Sequence, residues 1–119
     1  MDAGMNADLS KYSIAELCQA KEQLDEALIK TSSAPLDNVL SEISSRGEFT
    51  SREFKAIKKG TVFVGMSPEA ARCSWGKPSD VNTTVLANYR SEQWVYNGFD
   101  GFPSNFIYIE NGSVSGIQN

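Results

Sequence analysis

The sequence predicts an α+β fold in which helices come first and an antiparallel sheet follows. Two observations carry this. The first half holds two S/T-x-x-E capping boxes, Ser13-Ile14-Ala15-Glu16 and Thr50-Ser51-Arg52-Glu53, each opening a stretch of helical apolar spacing. From Asp80 the period changes to two, strand formers dominate, and the chain reaches Asn111-Gly112, the pair suited to a two-residue hairpin whose central positions both need φ > 0. A run of helices followed by a run of strands indicates segregated layers. The expected architecture is a helical hairpin plus two short helices packed on a three- to four-stranded antiparallel sheet.

Each element has its own signal. Residues 1–12 lack periodicity and read as a disordered N-terminus or leader. Ser13 and Glu16 then start a helix expected over 14–31. Tyr12 and Leu17 stand at the positions of a hydrophobic staple, and Ile14, Leu17, Cys18, Leu24 and Leu28 follow helical spacing. Pro35 suits the first position of a second helix, whose stripe is Leu36, Val39, Leu40 and Ile43 and whose stop is Arg46-Gly47. These two helices form the expected hairpin extension, 13–47. The second capping box starts a short helix bearing Phe54 and Ile57 and ending near Lys59-Gly60, and Thr61 to Val64 reads as extended. Ser67-Pro68 is an N-cap followed by proline, and Gly76 and Pro78 end that helix. Its small Ala70, Ala71 and Cys73 permit close packing on a sheet. Strands are expected through Val81 to Leu86, Gln93 to Tyr96, Asn105 to Glu110 and Val114 to Gln118. A turn-rich loop over 97–103 carries Phe99 and Phe102.

The chain is of single-domain size, 119 residues, and acidic, with 11 basic against 15 acidic residues for a net charge of −4. That balance disfavours general nucleic-acid binding, which needs a basic face to displace counterions. Lys55, Lys58 and Lys59 form only a local cluster. No apolar run is long enough to span a membrane. The absence of histidine removes the commonest general base and metal ligand. Cys18 and Cys73 are too few for a tetrahedral zinc site without histidine. They are either two small buried apolar residues or a disulfide between the first helix and the short helix, the latter in an oxidising compartment. No cofactor or metal site is expected.

The segment Ile57 … Gly65-Met66-Ser67 … Gly76-Lys77-Pro78 … Trp94-Val95-Tyr96 … Phe106-Ile107-Tyr108-Ile109-Glu110-Asn111-Gly112-Ser113-Val114 … Ile117 resembles the BamE (SmpA/OmlA) lipoprotein family. That pattern is an isoleucine, Gly-Met-Ser/Thr, a short helix, Gly-x-Pro, a Trp-x-Tyr strand and a final hairpin. The resemblance covers about residues 50–119, so the domain is taken as 48–119 with Gly65, Met66, Ser67, Gly76 and Pro78 as fold-motif positions. It implies a periplasmic or outer-membrane-associated protein that binds a protein partner and catalyses nothing, with an assembly or envelope-integrity role. An inhibitor-like module, or a structural protein that self-associates through its helical hairpin into a dimer, is the alternative. The chain departs from the family in its helical extension. It also has no lipobox-type cysteine near the N-terminus, so a lipid anchor would require a further segment upstream.

Chemistry-bearing patterns are sparse. Ser74-Trp75-Gly76-Lys77 fits S-x-x-K, but Gly76 and Pro78 mark a helix end where that motif needs a helix start. Glu92 and Glu110 could pair across strands, although charged strand-edge residues explain them better. The remaining candidates for partner binding are aromatic: Trp94 and Tyr96, which share one strand face and are core residues or a binding face, and Phe99 and Phe102 in the loop.

Overall fold

A computed structural model describes residues 11–27 and 34–119. Four helices precede a four-stranded sheet: α1 (Ile14–Ala27), α2 (Ala34–Arg46), α3 (Ser51–Lys59), α4 (Pro68–Trp75), β1 (Asp80–Leu86), β2 (Tyr89–Asn97), β3 (Pro103–Glu110) and β4 (Ser113–Gln118). The sheet is a meander in the order β1-β2-β3-β4, antiparallel throughout. The α+β expectation is met, helices packed on one face of the sheet. The parts of the readings that fall on 1–10 and 28–33 lie outside the described residues.

The caps behave as their chemistry dictates. In the first box, Glu16 N–H donates to Ser13 Oγ at 3.1 Å and Ser13 N–H to Glu16 Oε1 at 2.8 Å. In the second, Thr50 Oγ1 accepts from Glu53 N–H at 3.0 Å and Glu53 Oε1 from Thr50 N–H at 3.0 Å. Glu53 does one thing more: its other carboxylate oxygen accepts from Ser67 N–H at 2.8 Å, the N-cap residue of α4. One buried carboxylate thus ties two helix starts together. Burial acts to raise its pKa, but the hydrogen bonds from Ser67 and Thr50 outweigh that and hold it below its ordinary 4.5.

The core is built from Leu17 of α1, Val39 and Ile43 of α2, Ala56 and Ile57 of α3, Met66, Ala70, Ala71 and Cys73 around α4, and Trp94, Ile107, Ile109 and Val114 of the sheet. Alanines on α4, fully buried, let its backbone approach its neighbours closely. Lys21 is also buried, one turn beyond Leu17 on the same stripe, a core position by spacing that a charged residue does not announce.

The segment Thr61 to Val64 is not a strand. It leads instead to a two-way backbone tie: Gly65 N–H donates to Val114 O at 2.8 Å and Val114 N–H to Met66 O at 2.9 Å. The outer edge of β4 is therefore occupied by the Gly-Met-Ser turn. At the β3–β4 hairpin, Asn111 and Gly112 have φ of 50° and 90°, as a type I′ turn requires.

Candidate protein-docking surface

The four aromatic candidates separate into two pairs. Direct pairing of Val81 with Trp94 and of Trp94 with Ile107 puts these side chains on the helix-facing side of the sheet. Trp94 is only 6% exposed, and its indole N–H donates to Glu92 Oε1 at 2.8 Å. Tyr96 donates its hydroxyl to Gly76 O at 2.9 Å and meets Trp75 edge-on at 5.4 Å. Burial pushes its hydroxyl pKa above the usual tyrosine range. Trp94 and Tyr96 therefore fasten the sheet to the end of α4, and neither offers an open face to a partner. The physical reason is stacking: the helices lie over this face, which one strand's sequence cannot reveal.

Phe99 and Phe102 are the opposite case. Phe99 is fully exposed and Phe102 is 69% exposed. Their loop follows a register shift at Tyr96/Asn97, which turns the chain out of the ladder. It is internally held: Gly98 N–H donates to Phe102 O at 2.9 Å, Gly101 N–H to Gly98 O at 3.0 Å, and Phe102 N–H to Asp100 Oδ1 at 2.9 Å. Gly101 has φ of 81°, so glycine supplies the left-handed turn. The backbone that carries these two exposed rings is thus held by its own hydrogen bonds.

The sequence reading missed a neighbouring feature. Every residue of β1 is exposed, including Val81, Val85 and Leu86, the last two above 60%. The period-two alternation of Val81, Thr83 and Val85 identifies a strand, yet nothing in it says whether a helix will cover that strand. On the sheet's far side a polar ladder crosses all four strands: Asn82 Nδ2 donates to Gln93 Oε1, Gln93 Nε2 reaches Tyr108 OH at 3.4 Å, and Tyr108 OH donates to Gln118 Oε1 at 3.0 Å.

Cys18 and Cys73 form a disulfide linking α1 to α4 across 55 residues. Beside it lies a cavity of about 660 Å³ whose lining includes Ile14, Glu22, Phe49, Glu69, Arg72 and Lys77. Both lining sulfurs are joined to each other, which leaves no thiol nucleophile there. At the cavity rim Gly76, φ 86°, sits so close to the Glu22 carboxylate that a Cβ would collide with it.

The other chemical candidates resolve into structural work. Ser74 is buried, with its Oγ 2.5 Å from Thr61 O and 3.2 Å from Ala56 O. Glu92 and Glu110 cannot pair, because Glu92 stands opposite Ile109 and so projects from the face opposite to Glu110. The Trp94 hydrogen bond, together with Arg90 at 2.9 Å, outweighs burial and lowers the Glu92 pKa. Among the described residues there is no cluster of three or more His, Cys, Asp or Glu side chains able to hold a metal. None of the described helices is long and apolar enough to cross a membrane.

Compared with protein-family models, with curated proteins and with solved structures, the chain matches none. The BamE-like resemblance accordingly rests on the residues quoted for it.

Proposed function

We propose that this protein is a non-enzymatic, protein-binding module of the bacterial cell envelope, periplasmic or outer-membrane-associated, with an assembly or envelope-integrity role. The observation that carries the reading is the Phe99–Phe102 loop, which holds two exposed rings on a hydrogen-bonded turn. Solvation of an apolar ring is unfavourable, and rings retained at a rigid surface position serve as interface anchors. The compartment is supported by the Cys18–Cys73 disulfide, since such bonds persist in oxidising environments. The non-catalytic reading is supported by the lack of histidine and by the structural duties of Ser74, Glu53 and Glu92.

The test is capture from bacterial envelope extract with the wild type and a Phe99→Ala/Phe102→Ala variant, followed by titration of the recovered partner in purified form. Two anchors of hot-spot strength weaken binding by about 30-fold or more. Equal affinity of the variant and the wild type would remove the loop from the interface.

A further inference from the structure

The open edge of the sheet has a geometry that selects its occupant. Arg90 O accepts from Asn111 N–H at 2.9 Å and Val95 O accepts from Ser79 N–H at 2.7 Å. These two bonds fix the alternation along β2: Arg90, Glu92 and Trp94 turn their backbone groups toward β3, and Ser91, Gln93 and Val95 turn theirs toward β1. By register, the partners of the latter are Thr84, Asn82 and Asp80. The N–H and C=O groups of Val81, Thr83 and Val85 therefore point away from the sheet. Of these, the Val81 N–H meets Asp80 Oδ1 at 2.9 Å, an exposed contact that a carbonyl from another strand can replace. The strand carries no lysine, proline or bulge of the kinds that protect a lone edge.

We infer that β1 pairs with β1 of a second copy of this chain, antiparallel, about a two-fold axis through Thr83. In that register Val81 faces Val85 of the second copy, Thr83 faces its own counterpart, and Val85 faces Val81. All three are the residues whose backbone groups point outward, so every outward group on the strand gains a partner. A one-residue slide sets outward groups against inward-turned ones. A two-residue slide leaves one of the three residues opposite no residue of β1. The side chains agree with the backbone: valine meets valine and threonine meets threonine on the helix-facing side, pairs that suit a pleated surface. Asp80, the one charged residue of β1, falls at opposite ends of the seam in the two copies, so no like charges oppose each other. The result is a continuous eight-stranded sheet with an isologous interface. A single-strand seam is at the small end of interface sizes, which makes this a concentration-dependent dimer.

Sedimentation velocity over a concentration series extending to the solubility limit tests the inference. The wild type should move toward twice its 13.0 kDa. Val81→Lys/Val85→Lys puts like charges opposite each other twice and should remain monomeric. Val81→Lys/Val85→Glu puts opposite charges in those same places and should dimerise again, which only this register allows. Thr83→Pro deletes an outward N–H without touching the ladder to β2 and should also abolish the dimer. Circular dichroism checks the fold of each variant. If the double-lysine variant is unfolded, Thr83→Pro decides in its place. A wild type that stays at 13.0 kDa throughout, or a folded double-lysine or proline variant that dimerises like the wild type, overturns the inference. Failure of Val81→Lys/Val85→Glu to dimerise overturns the register. Phe99→Ala/Phe102→Ala should leave the dimer intact, so this result and the partner titration fail independently.

Discussion

The two outer strands of one sheet, β1 and β4, have similar sequences and opposite fates. β4 reads Ser-Val-Ser-Gly-Ile-Gln and β1 reads Asp-Val-Asn-Thr-Thr-Val-Leu, both mixing β-branched and polar residues. Val114 of β4 is buried, and its backbone is tied to Gly65 and Met66. Val85 of β1 is 63% exposed at a bare edge. The difference lies in what earlier parts of the chain were placed against each strand. The disulfide, the Glu53 tie and the small residues of α4 gather the helices over the β3–β4 end, and among the described residues no helix covers β1. A sheet half-covered in this way is buried at one end and exposed at the other.

Substitutions along the sheet should break that comparison in graded steps. The largest effect is expected in the covered half. Ile107→Ala, at a fully buried site, should cost about 2–5 kcal/mol of unfolding free energy in denaturant titration. A loss near that of a surface valine would mean that the helices do not stack there. Next is the disulfide: closing 55 residues, it should contribute about 2–4 kcal/mol, so a Cys18→Ser/Cys73→Ser variant should melt roughly 10 °C lower.

Removal of the Glu53 carboxylate comes third. Glu53→Ala leaves the N–H groups of Thr50 and Ser67 without their acceptor and should cost about 2–3 kcal/mol. Because its folded pKa lies below 4.5, the wild-type contribution is fully present above that pH and fades as pH falls through the folded value. The stability difference between wild type and variant should shrink correspondingly on acidification; a difference independent of pH would show that the charged form is not what holds the helix starts. The smallest effect belongs to the bare half. Val85→Thr or Phe99→Ala should change monomer stability by less than about 0.5 kcal/mol, so any larger change points to burial against another chain.

Legibility from sequence followed the range of the interaction. The capping boxes, the proline start of α4 and the Asn-Gly hairpin were readable because each is completed within a few residues. The β1–β2 turn was not: Ala87-Asn88 needs no positive φ, so no glycine marks it, and β2 starts at Tyr89, ahead of the strand core at Gln93. Lys21 was invisible as a buried residue because its spacing suits the core while its charge does not. At the candidate surface, the sequence nominated Phe99 and Phe102 together with Trp94 and Tyr96. It could not separate them, since an aromatic at a strand end looks the same whether a helix or solvent lies beyond it.

By itself, then, the sequence determined the kinds and order of the elements, their caps, the terminal hairpin and the candidate aromatics, because propensity, capping and turn chemistry act over a few residues. The tertiary structure alone decided that the two cysteines are bonded, that Trp94 and Tyr96 face helices, that Glu92 and Glu110 lie on opposite faces, and that one edge of the sheet is closed while the other is open. Each of those depends on which distant segment lies against which face, a matter of packing among residues tens of positions apart, and no local pattern encodes it.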